Sequence, residues 1–419
     1  MDILILHRIP YHKIDYHRGI DHAEHRVTYF GVRNILDTLP AWLPHRQVER
    51  PGRQSVFEEA KAWLGAEAVR FDRIISLSEY ELLDAARLRA WCGERGDPVP
   101  GAPLAQVTLV RDKVQMKRAA AAAGLRVPRF ETLPVFLGQR GHEGWSGRTV
   151  LKPHSGASSE DVVVFGSALQ ARNAVLERRS GVARLDAASV ERELYEVEEF
   201  IAGPVLHFDG LVADGAILAL TASRYVGTCL DYANGQPLGS FHMPVSPAAR
   251  AWTEAALAAV SIRNGSFHLE AIEHEGELVF LEVGNRVGGA DVVATFELAT
   301  GIHMPSHELR ILLGESALAP DRNLASSGLW HGWFVVPGHH GGAGYVPFEP
   351  IERFRQSPAV VRWNELQPGT PLPRTITYQA HEVPLAGIIA TPGAEESRRW
   401  MEDLFRTLGT YRARRHVTQ

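Results

Sequence analysis

Phe267-His268-Leu269-Glu270-Ala271-Ile272 and Phe280-Leu281-Glu282-Val283-Gly284-Asn285-Arg286-Val287-Gly288-Gly289 are two apolar-rich stretches joined by the polar Glu273-His274-Glu275-Gly276-Glu277. Apolar runs around a short polar turn with a glycine predict a β-hairpin, here with one carboxylate on each strand, Glu270 and Glu282. Two acids facing each other in an apolar cleft repel unless they share a cation. Mg²⁺ held with nucleotide phosphates is a usual solution for one or two carboxylates. Taken alone, the fragment reads equally well as two half-exposed strands with solvated acids.

The rest of the chain narrows the choice. Its 419 residues suggest about three domains at roughly 150 residues each. With 45% hydrophobic and 22% charged residues there is material for a large core. A net charge of −5 carries no general basic footprint and argues against nucleic acid as a partner. Cys92 and Cys229 stand alone, without a disulfide framework or a CxxC pair, which fits a reducing cytoplasm. No apolar run approaches the roughly 20 residues of a membrane-spanning helix, so no membrane partner is expected. Met1-Asp2-Ile3-Leu4-Ile5-Leu6 has an acid and no basic lead-in, and reads as a buried first strand, not a signal peptide.

Strands at Ile3 to Leu6 and Phe71 to Leu77, with a helix from about Glu79 to Cys92, predict a parallel sheet flanked by helices over residues 1–104. The Gly/Pro-rich segment Cys92 to Pro103 reads as a linker. A helix from Arg111 stops at Gly124. Thr149 to Lys152 and Val162 to Phe165 read as strands around a loop of small residues. Beyond about Ser316 short strands and turns, then a helix from about Glu395 to Leu408, predict a separate α+β lobe over 316–419.

Four fragments carry chemistry. Lys152 ends a strand beside Ser155, Gly156, Ala157, Ser158 and Ser159, where small side chains let backbone N–H groups approach phosphate; the GxxxxGK[ST] spacing is absent. Upstream, Asp112-Lys113 opens a helix with a second lysine. Glu198-Glu199-Phe200-Ile201 offers a strand edge whose backbone can serve an adenine ring while Glu198 takes the exocyclic amine. The opening hairpin, with Arg286 four residues beyond Glu282, is the fourth.

In this order the fragments resemble the ATP-grasp superfamily over about residues 105–315, and within it the carboxylate–amine ligases that join amino acids. The resemblance implies a Rossmann-like N-terminal domain (1–104), a nucleotide-binding and catalytic region (105–315) with a lid at about 145–200, and a C-terminal lobe. It implies ATP, with Mg²⁺ or Mn²⁺, as cofactors. Lys113 and Lys152 would bind the phosphates, and Ser155 to Ser159 would fold over them. Glu198 would meet the adenine amine, with Glu199, Phe200 and Ile201 on the same edge. Glu270 and Glu282 would hold the metal, and Arg286 would face the transferring phosphoryl group. His242 in Gly239-Ser240-Phe241-His242-Met243-Pro244 would lie near an acyl phosphate, and Arg224 would bind a substrate carboxylate bidentately.

Two departures accompany the match. Where many similar chains read Glu-x-Asn-x-Arg, Gly284 stands at the asparagine and Asn285 follows, so Asn285 is the candidate to complete a metal site. Where many have an acid seven residues after the adenine glutamate for the ribose, this chain has Val205, with His207 or Asp209 as stand-ins. The activity implied is ATP-dependent joining of a small carboxylate, expected to be an amino acid, to an amine, with ADP and phosphate released. The alternatives are transfer to a carrier-protein thiol, a nucleotide-binding regulator without catalysis, or another reaction of the superfamily. His7, Arg8, His25, Tyr225, Asp291 and Thr295 are further candidates to read the substrate, and related enzymes suggest a homodimer.

Overall fold

The alternating pattern of the first hundred residues folds into a parallel sheet of four strands, β1 (Asp2–Leu6), β2 (Arg26–Gly31), β3 (Arg46–Glu49) and β4 (Arg73–Ile75), in the order β3-β2-β1-β4. The computed structural model describes residues 1–138, 145–156, 159–187, 191–315, 328–349 and 351–417, with side chains to 409. Near-continuous apolar strands need cover on both faces. Here Ile3 and Ile5 bury toward Tyr16 and Tyr29, while Leu4 and Leu6 bury toward Leu64 and Leu88 of the flanking helices.

A second sheet is antiparallel, built from β5 (Phe130–Thr132), β6 (Thr149–Pro153), β7 (Val163–Phe165) and β8 (Tyr195–Glu199), in the order β5-β8-β6-β7. Leu151 and Val197 bury its apolar face against Phe136, Ala171 and Val175. Period-two alternation then turns Lys152, Glu196 and Glu198 to the other side.

The third sheet has eight strands: β9 (Val205–Ala213), β10 (Ala216–Val226), β11 (Leu238–Met243), β12 (Gly265–His274), β13 (Glu277–Gly284), β14 (Trp330–Val336), β15 (Val360–Glu365) and β16 (Leu385–Thr391). Their order is β13-β12-β9-β10-β11-β14-β16-β15. The hairpin turn has φ of 53° at Glu275 and 81° at Gly276, two left-handed residues of the kind a tight two-residue hairpin requires. Phe208, Phe267 and Phe280 pack its core face under the helix Pro247–Ala259, which starts at a Ser246 N-cap. The last strands do not form a sheet of their own, because β14 pairs with β11 and the helix Ala394–Val417 covers the joint through Met401, Leu404 and Leu408. Residue 316, where the sequence pattern changes, lies outside the described residues.

Candidate active site

Register brings the two hairpin acids opposite each other: Glu270 pairs with Glu282 across β12 and β13, beside a bulge between Glu270 and Ala271. Both line an open cleft of about 1070 Å³ between the second and third sheets. Lys113, Lys152, Gly156, Ser159, Glu198, Glu199, Phe200 and Ile201 line the same cleft, so most of the candidate nucleotide residues meet there. Lys113 Nζ stands 2.9 Å from Glu282 Oε2 and donates to the Gly156 carbonyl at 2.9 Å. Its helix, Lys113–Ala122, is capped by Asp112, which accepts from the N–H groups of Val114 and Gln115. Ser155 Oγ donates to the Arg111 carbonyl at 2.7 Å and ties the small-residue loop to that helix start. Ala157 and Ser158 lie outside the described residues.

Glu198 is held by two lysines, Lys117 at 2.6 Å and Lys152 at 2.7 Å, and Lys117 also reaches Glu196 at 2.8 Å. Burial alone would raise the Glu198 carboxyl, but Lys117 and Lys152 hold it below the ordinary carboxylate range. Burial would depress Lys152, yet Glu198 and Glu196 keep it above its ordinary value. Lys117 and Glu196 were not singled out from the sequence. The signal lay in periodicity, since Lys117 is one helical turn beyond Lys113 and Glu196 two strand residues before Glu198. One backbone contact differs from expectation: the Phe200 N–H is given to the Arg148 carbonyl at 2.9 Å, leaving Ile201 as the N–H donor of the pair.

Behind Glu270 runs a buried polar chain. Asp209 lies opposite His268, and His207 opposite Glu270, in the β9–β12 register. His268 Nδ1 meets Asp209 Oδ1 at 2.7 Å and Nε2 meets Glu270 Oε1 at 3.3 Å. Ionised carboxylates only accept, so both ring nitrogens donate and His268 is an imidazolium. Burial pushes its pKa down, but the two carboxylates raise it to about 9. Tyr225 donates to Glu270 at 2.8 Å, and His207 bridges Asp209 at 2.5 Å and Ser240 at 2.6 Å. His207, Asp209 and His268 are close enough to share a metal ion, but both imidazoles already engage the Asp209 carboxylate, one on each oxygen.

Several expectations are corrected by this geometry. His207 and Asp209 are turned into the buried chain, whereas Val205 lines the cleft. Asn285 donates from Nδ2 to the Ser266 and Asn264 carbonyls at 2.7 and 3.2 Å; a cation would take its Oδ1. Strand alternation puts Arg224 on the opposite face of β10 from Tyr225, away from the acids. His242 shares the Ser240 face of β11. It is buried, its Nδ1 lacks a partner among the described residues, and burial with nearby His331 pushes its pKa down to about 3. Arg286 is gripped by Glu79 from the loop after β4, a contact the sequence did not announce.

No family model matches the chain. A curated L-arginine-specific L-amino acid ligase of Bacillus subtilis is 26% identical over 300 residues, covering 68% of this chain and 67% of that protein. The crystal structure of an L-amino acid ligase from Bacillus licheniformis aligns with a TM-score of 0.66 at 18% identity, over 98% of this chain and 97% of the other. A carboxyaminoimidazole ribonucleotide synthase from Aspergillus clavatus, solved with ATP, aligns at 0.63 and 13% identity over 98% of each chain. At these identities the solved structures establish the fold.

Proposed function

We propose, from its fold and its likeness to a curated amino acid ligase, that this chain is an ATP-grasp carboxylate–amine ligase that activates an amino acid carboxylate with ATP and joins it to an amine. The observation that carries the reading is one cleft lined by Lys113, Lys152, the Glu198–Ile201 edge and the facing pair Glu270 and Glu282. In this reading residues 105–315 hold the nucleotide and the catalytic groups, with a lid at about 145–200, and are flanked in sequence by the N-terminal α/β domain (1–104) and the C-terminal lobe (316–419).

A carboxylate resists attack by an amine because its leaving group would be an oxide. Transfer of the γ-phosphoryl group to a carboxylate oxygen breaks the bond to ADP and forms an acyl phosphate. The amine then attacks the acyl carbon, the C–N bond forms, phosphate leaves, and the amine gives up a proton. Lys113 and Lys152 neutralise phosphate oxygens, and Arg286 stabilises the transferring group by preorganised charge. Glu270 and Glu282 are hard oxygen donors in facing register, the donor set that suits Mg²⁺. Glu270 and Glu282 would hold that ion, which would supply further charge neutralisation. The buried His268–Asp209 pair and Tyr225 keep Glu270 ionised and oriented toward the cleft.

ADP release with Mg²⁺-ATP, measured across all pairwise mixtures of the twenty amino acids with mass detection of products, tests the reading. The expected result is release that needs particular pairs and yields a condensed product. Release that needs a phosphopantetheine thiol would move the acceptor to a carrier protein, and ATP binding with no release under any mixture would overturn the ligase reading. Glu282→Gln is expected to abolish Mg²⁺-dependent ADP release; full activity in that variant would remove Glu282 from the metal site.

A further inference from the structure

Glu79 belongs to the N-terminal sheet's loop after β4, yet its carboxylate ends between two arginines of the nucleotide region. One oxygen pairs with Arg111 and the other with Arg286. The three side chains are only 13%, 16% and 22% exposed, so solvent screens the cluster little. Arg286 also donates from Nη1 to the Val287 carbonyl at 2.7 Å, which pins its guanidinium from a second side. One carboxylate between two guanidiniums leaves a net positive charge of one unit in the cluster.

Gly284 is what makes room for this. A Cβ at that position would lie 3.3 Å from Glu79 Oε2 and 3.2 Å from Arg286 Cγ, tighter than ordinary contact. We propose that Glu79 is a positioning residue for phosphoryl transfer, holding Arg286 in place through the slot that Gly284 leaves open. The proposal rests on the role given to Arg286 above. A long arginine side chain that must be ordered during the reaction costs rotamer entropy at that moment, and one already held does not. The contact also ties the N-terminal sheet to the phosphoryl end of the cleft.

The test is calorimetric binding of Mg²⁺-ADP with and without aluminium fluoride, which mimics the transferring phosphoryl group. It is run on the full chain and on Glu79→Gln, Gly284→Ala, the double variant and Arg286→Ala, with melting temperatures as a folding check. Wild type is expected to bind the fluoride complex more tightly than ADP alone. Glu79→Gln should keep its ADP affinity within about twofold and lose about tenfold of that gain. Gly284→Ala should lose in the same direction, and the double variant no more than Glu79→Gln, because both act on one contact. A Glu79→Gln protein with the full gain overturns the proposal, as does one whose ADP affinity falls equally, which is what a merely structural contact would do. Wild type that binds ADP without any gain removes Arg286's role and the proposal with it. Wild type that binds no nucleotide overturns the ligase reading itself.

Discussion

Lys117 makes no contact with solvent, and its ammonium is satisfied by Glu196 and Glu198 with the Phe130 ring 4.6 Å away. Removing one partner of a buried ion cluster leaves the others charged and unpaired. Lys117→Met is therefore expected to cost about 3–5 kcal/mol in urea denaturation, well beyond the methylene packing it retains. Glu308 is the opposite kind of buried acid, with Ser266 Oγ donating to it at 2.7 Å and no cation beside it among the described residues. Burial raises its pKa from the ordinary 4.5 to about 7. The folded chain then holds this proton more tightly than the unfolded one. Its contribution to stability is full below about pH 4.5 and falls as pH rises through 7, by about 3 kcal/mol at most. Glu308→Gln should flatten that part of the profile. An unchanged difference in unfolding free energy between pH 5 and pH 8 would show that the carboxyl is not desolvated.

At the scale of elements, the hairpin that carries Glu270 and Glu282 was legible because its signals are local: alternation, a polar turn and a glycine. Its partners across β9 were less so, although His268 could have been found as the residue two before Glu270, on the same face. Whether such a residue meets water or a buried Asp209 depends on the neighbouring strand's register, which the hairpin's own sequence does not contain. Gly288 shows the same dependence. A Cβ there would come within 2.9 Å of both Asp209 Oδ1 and His268 Nδ1 and 2.8 Å of Val292 Cγ1. Gly288→Ala should cost about 1–3 kcal/mol, by overpacking against that pair. Gly289→Ala is the control, since among the described residues nothing lies within 4 Å of its Cβ. Equal melting temperatures for the two variants would count against the packing argument.

For the whole molecule, the strands after residue 316 complete a sheet begun a hundred residues earlier. A chain ending at Glu315 would expose the β11 edge and strip Phe241 of Phe334, Met401 and Leu404. Such a truncation is expected to be insoluble or molten, as read by soluble yield and near-ultraviolet circular dichroism; a cooperatively folded product would mean that the final strands are an independent lobe. By itself the sequence determined the parallel N-terminal sheet, the hairpin with its facing acids, and the lysines and strand edge that line the cleft. All of these rest on spacing within one element or on motif order along the chain. Only the tertiary structure decided that Arg224 faces away, that His207 and Asp209 have other partners, and that Glu79 reaches Arg286 from 207 residues away. A pairing between distant elements is set by how their faces pack, and nothing in the local pattern of either element encodes the other's position.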